Sequence, residues 1–190
     1  MKNLEITVKV NCSNEKLNNY LLNNGFRVIE KYDIHDRYMI NRNVDISNMK
    51  DLDILDNCIL VRDIKGMKKC LTYKKKVYDK NEDIISQSKV DCLVDDTDTA
   101  IKFMQCIDYN ILFEIYDKIT VYSNGLIEIA SQYVNDKYLF IEMEDVSSST
   151  PKHNYNNLDD MISDFEKIGI DYDKSNYFVK KAQIILKEVR

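Results

Sequence analysis

From Leu4 to Val10 apolar and polar residues alternate. Leu4, Ile6, Val8 and Val10 fall to one side and Glu5, Thr7 and Lys9 to the other, the period of a half-buried strand. Ser13 reads as an N-cap, and Leu17, Tyr20 and Leu21 recur at helical spacing until Gly25. Phe26 to Ile40 predicts a strand broken around His35–Asp36, and Asn41 to Asp53 a polar loop. Strands follow at about Cys58–Ile64 and Lys69–Val77, joined at Lys65–Gly66 as a hairpin. A polar stretch, Tyr78 to Asp83, leads into another at Ile84–Val94. Asp96 caps a helix to Asp108, packed by Ala100, Ile101, Met104 and Ile107, and strands return at Ile111–Val121, Leu126–Val134 and Tyr138–Val146. The loop cluster SSSTPKHN opens a helical part at about 155–190. There Leu158, Met161, Ile162, Phe165 and Ile168 form one stripe ending at Gly169, and a last helix starts near Ser175. The pattern predicts an α+β fold, mostly antiparallel, with about eight strands in a single domain spanning 1–190; eight strands suffice to close a barrel around an interior.

Composition narrows the function. With 190 residues the chain suits one domain, and a net charge of −5 gives no footprint for nucleic acid. No apolar run is long enough for a membrane, and the alternating start has no signal-peptide core. Five cysteines without a CxxC, beside two histidines, argue against zinc and for reduced thiols in a cytoplasmic protein. Gly66 and Gly125 read as turn glycines, since no Walker or Rossmann spacing exists. His35 and His153 fall in expected loops or strand breaks and receive no role, and Lys74–Lys75–Lys76 reads as a solvated strand end.

The candidate chemistry lies on strand faces. Glu5, Thr7 and Lys9 share one; Phe140, Glu142 and Glu144 share another; Thr72, Lys74 and Lys76 a third. One such face is what any surface strand shows. Repeated on several strands, the pattern makes a polar interior if the faces converge. Lysines and arginines neutralise a polyphosphate, and carboxylates hold a hard divalent cation.

In this order the motifs resemble the CYTH, or triphosphate tunnel metalloenzyme, superfamily. The family's ExExK strand reads E-I-T-V-K from Glu5 to Lys9, and its D-x-Y element reads Asp36-Arg37-Tyr38. L-R-x-R appears as Ile59 to Arg62, the next Lys-bearing strand as Leu71 to Lys74, and F-x-E-x-E as Phe140 to Glu144. The spacing from Tyr122 through Gly125 and Ile129 to Glu142 also suits the family, as does Ser175-Asn176-Tyr177 in the C-terminal helix pair.

The resemblance implies a closed antiparallel eight-stranded β-barrel, the triphosphate tunnel, with flanking helices. It implies Mg²⁺ or Mn²⁺ held by Glu5, Glu142 and Glu144, and phosphate bound by Lys9, Arg62 and Lys74, with Lys89 and Lys118 as further candidates. Tyr38 with Lys74 would activate water, as in the thiamine triphosphatase branch. Metal-dependent hydrolysis of an inorganic or organic triphosphate is the implied activity. The rivals are a class IV adenylyl cyclase making cyclic AMP from ATP, and a degenerate binder of polyphosphate or nucleotide. Homodimers are common in the family. The sequence departs from the pattern at Thr7 and Leu60, at Asp117 and Ile119 where K-x-R is expected, and at Gln132 where an Asp is expected. Lys76, Lys89 and Lys118 are the natural substitutes for the missing cations.

Overall fold

A computed structural model describes residues 4–78, 84–145, 155 and 157–190. The expected loop 147–154, with His153, lies outside the described residues, as does 79–83.

The strands are β1 (Glu5–Lys9), β2 (Arg27–Asn41), β3 (Ile59–Ile64), β4 (Lys68–Tyr78), β5 (Ile84–Leu93), β6 (Tyr109–Ser123), β7 (Glu128–Val134) and β8 (Tyr138–Glu144). The helices are α1 (Asn14–Asn23), α2 (Asp51–Asp56), α3 (Thr97–Cys106), α4 (Leu158–Lys167) and α5 (Lys181–Val189). Two N-caps stand where the sequence places them. Ser13 accepts from the amide of Lys16, and Asp96 from that of Thr99. At Gly66 the β3–β4 hairpin turns with φ +77, a conformation open to glycine without penalty.

Three readings change. β2 runs unbroken through His35–Asp36, its backbone satisfied by β3 from Ile34↔Ile64 to Met39↔Ile59. The expected loop 41–53 gives way at its end to α2, which buries Leu52 and Ile54. The last helix begins at Lys181, not Ser175. Before it, Tyr172 and Phe178 make isolated bridges to Val10 and Thr7.

The tunnel is also corrected. The strands form one eight-stranded antiparallel sheet in the order β1-β8-β7-β6-β2-β3-β4-β5, and it is not closed into a barrel. The reason lies in the backbone of β1. Its edge away from β8 is taken: the Thr7 amide donates to the Tyr177 carbonyl at 2.9 Å, and the Val179 amide to the Thr7 carbonyl at 2.9 Å. A segment occupies the edge that a closing strand would need, which also covers an aggregation-prone border.

The chain divides into two compact units. One takes the residues up to Tyr32 with Asp117–Val179; the other takes Asp33–Tyr116 with Lys180–Arg190. In the first, α1 and α4 send Leu17, Leu21, Met161 and Phe165 onto Ile6, Val8, Ile129 and Ile141. Full burial of each such side chain is worth roughly 1.5–3 kcal/mol. Just past the Ile168 cap of α4 stands Gly169, where φ is +78 and a Cβ would lie 2.6 Å from the Tyr20 hydroxyl, the group that donates to the Ile168 carbonyl. In the second unit, α3 packs Ala100 and Met104 on Met39 and Val61. Each unit therefore covers one sheet face with helix and leaves the alternate residues on the other.

Candidate functional site

In the first unit the register assembles the carboxylates. β1 pairs β8 with Glu5 opposite Glu144 and Thr7 opposite Glu142, on the face turned away from the helices. β7 adds Gln132, level with Phe140, and β6 adds Asp117 and Ile119. Gln132 is 3% exposed and donates to a Glu142 carboxylate oxygen at 3.1 Å. Burial, then Glu142 and Glu5, push Glu144 up to about 7. Like charges in reduced dielectric favour the neutral acid. The Tyr32 phenol is raised by burial and by Glu30, Glu142, Asp117 and Glu144, which places these acids around it. Among the described residues, no group of three or more His, Cys, Asp or Glu side chains could hold a metal ion. The acids nevertheless act on one another electrostatically.

Lys9, from the same strand, sits with its ammonium 5.4 Å from the centre of the Tyr138 ring. It lines a cavity of about 450 Å³ with Cys12, Ser13, Tyr133, Lys137 and Tyr138. Lys118 lies one residue out of phase, level with Tyr133, and pairs with Asp136 at 2.6 Å where both side chains are more than half exposed. It belongs to the opposite face from Asp117 and Ile119 and does not replace a missing cation there.

In the second unit the cations come already matched. Arg62 donates through Nε and Nη2 to the two oxygens of Asp36, at 2.6 and 2.5 Å. The pair is largely buried, at 15% and 7% exposure. Burial opposes the guanidinium charge, and the bond to Asp36 outweighs it, so the Arg62 pKa stands above its ordinary value. Lys68 and Lys89 both reach Asp91 at 3.0 Å, and Thr72 donates to it at 2.8 Å. Burial works against the Asp91 charge, and these three bonds hold its carboxyl well below the usual range. Lys74 stands opposite Lys89 on the same face. Tyr38 stacks on Phe113 at 4.4 Å and lies opposite Leu60, with β3 between it and β4. Leu60, in the family's Arg position, is 3% exposed and part of the core. The Lys76 side chain lies outside the described ones.

His35 is a strand residue here, not part of a break. Its Nε2 is 2.5 Å from Glu114, and its ring stacks on Tyr116 at 3.9 Å.

No known family profile and no curated protein matches the chain. Solved structures do. The PH1819 protein of Pyrococcus horikoshii OT3 is 14% identical, with 98% of this chain and 99% of that one covered, at a TM-score of 0.64. A proposed adenylate cyclase from Vibrio parahaemolyticus is 10% identical, with 97% of each covered, at 0.60. A proposed adenylyl cyclase from Hippeastrum that reveals a dominant triphosphatase activity is 13% identical, with 97% and 96% covered, at 0.54. The chain shares the fold of these solved structures. Within that fold, the sequence pattern missed Glu30, Tyr32, Lys68 and the part of Asp36 in holding Arg62. The expected break at His35–Asp36 hid the first, second and fourth: unbroken alternation along β2 puts Glu30, Tyr32, Asp36 and Tyr38 on one face. Lys68 carried the signal of sharing phase with Thr72 and Lys74 on β4.

Proposed function

We propose that the protein binds a triphosphate, inorganic or organic, and hydrolyses it with Mg²⁺ or Mn²⁺. One observation carries the reading. The register sets Glu5 opposite Glu144 and puts Glu142 on the same face of β8, so three carboxylates share one face. A fold gains nothing by gathering like charges, and perturbed acids cluster where function needs them. Glu5, Glu142 and Glu144 would hold the cation, and Lys9 extends their strand with a positive charge. Arg62, Lys68, Lys74 and Lys89 would neutralise phosphate oxygens, Arg62 through the guanidinium edge that Asp36 leaves open. Tyr38 and Lys74 would orient the attacking water. The bound cation supplies polarisation of the phosphoryl oxygen and in-line orientation.

A second reading, binding without turnover, is favoured by the occupied Arg62 fork and the buried Leu60. Each missing charge-assisted contact costs about 1.5–3 kcal/mol. The experiment offers purified protein tripolyphosphate, thiamine triphosphate and ATP with each metal, and measures phosphate and cyclic AMP. Phosphate release abolished in Glu142→Ala is the expected result. Cyclic AMP from ATP would replace hydrolysis by cyclisation. Calorimetric binding with no product would establish the second reading.

A further inference from the structure

β5 is the last strand of the sheet. β4 pairs with it on one side, and among the described residues no segment pairs with it on the other. The opposite border of the sheet differs, since Tyr177 and Val179 bond the outer edge of β1. The chain therefore presents one border of backbone amides and carbonyls that can template a further strand. Such edges are commonly blunted by a charge, and Lys89 stands in this one. Asp91 follows two residues on, however, and Val90 between them is 65% exposed. Tyr73, directly opposite Val90 on β4, is 40% exposed, and Val77 further along the same face is 50% exposed. Leu71, also on that face, packs against the cluster of Met39, Val61, Ala100 and Met104. The apolar stripe thus continues past the cover that α3 gives it.

We propose that two copies of this chain join through β5, as antiparallel strands around a two-fold axis at Val90. Strands related in this way continue one sheet, so side chains that meet across the axis share a face. With the axis at Val90, Lys89 lies opposite Asp91 of the second copy, Asp91 lies opposite Lys89 of the second copy, and the overlap runs from Gln87 to Leu93. An axis one residue to either side sets Lys89 against Lys89, or Asp91 against Asp91, and like charges directly opposite are destabilising. The strand is self-complementary in one register. Lys89 already reaches Asp91 at 3.0 Å within its own strand, so both charges stand on the face that this pairing needs. On the other face Val90 meets Val90 beside the Tyr73 rings, which takes the exposed apolar stripe out of water. Because the β1 edge is taken, the assembly closes at two copies and does not extend into a fibre.

The test is sedimentation velocity with light scattering on the whole chain at micromolar concentration, in thiol reductant because Cys92 and Cys106 are exposed. Wild type is expected at the mass of two chains. Val90→Asp and Val90→Lys each put like charges on the axis, and each is expected to halve that mass while keeping the wild-type circular dichroism. A one-to-one mixture of the two variants is expected to recover the dimer, because opposite charges then meet at the axis. Wild type that stays monomeric overturns the proposal and leaves the edge to an extended segment of another protein. A dimer that persists in both single variants places the contact elsewhere and overturns it too, as does a mixture that stays monomeric. If either variant does not fold, Val90→Cys is made in a Cys92→Ser, Cys106→Ser background and treated with a short bis-maleimide. Cross-linked dimer above the level of the same background with Val90 intact is then required, and its absence overturns the proposal.

Discussion

In the unit built on β1, β7 and β8, carboxylates face carboxylates: Glu5 lies opposite Glu144, and both Glu142 and Glu5 push Glu144 toward its neutral form. In the unit built on β3, β4 and β5, charges meet their opposites: Arg62 grips Asp36, and Asp91 collects Lys68, Lys89 and the Thr72 hydroxyl. The second arrangement is satisfied as it stands. The first is held against its own repulsion. The difference separates a set of side chains that stabilises the fold from a set that the fold must tolerate.

The largest effect belongs to the matched side. Asp36→Ala leaves a buried guanidinium unpaired and is expected to cost about 3–5 kcal/mol in urea unfolding, whereas Asp36→Leu with Arg62→Leu costs much less. Equal losses in single and double variants would break the comparison. Next comes pH. The Glu144 folded pKa, about 7, lies above the ordinary 4.5, so its contribution is present below pH 4.5 and is lost as pH rises through about 7. Wild-type stability should fall across that window by about 1 kcal/mol, the carboxyl being partly solvated, and Glu144→Gln should flatten the slope. A smaller loss, up to about 1 kcal/mol, is expected for Asp91→Asn, whose lysine partners are more than a third exposed and screened by salt. Last, Lys118→Ala should change neither stability nor phosphate binding beyond about 0.5 kcal/mol, since its pair with Asp136 is exposed.

Much of the fold was legible. Alternation located the eight strands, and Ser13 and Asp96 marked helix starts, because caps and side-chain phase are local properties. The faces of β1 and β8 were legible for the same reason, so Glu5, Glu142 and Glu144 were found together. What alternation cannot carry is partnership. Nothing near Arg62 in sequence says that its fork is filled by Asp36, or near Gln132 that it bonds Glu142. Closure failed on the same ground: eight strands permit a barrel, but backbone bonds from 177 and 179 to Thr7 decide against it. His35 was misplaced because polar residues in a long strand look like an interruption when their cross-strand partner, Glu114, lies far along the chain.

The pairing of Glu5 with Glu144 has a kinetic corollary. The β7–β8 hairpin closes through Asn135 and Asp136, both at positive φ, and β3–β4 through a turn at Gly66, so each can zip from contacts nearby in sequence. β1 must instead search most of the polypeptide for its mate, and such long loop closures come slowly. Nascent molecules should thus acquire the Arg62 hairpin well before Glu5 reaches Glu144, leaving the acids dispersed until collapse is nearly complete.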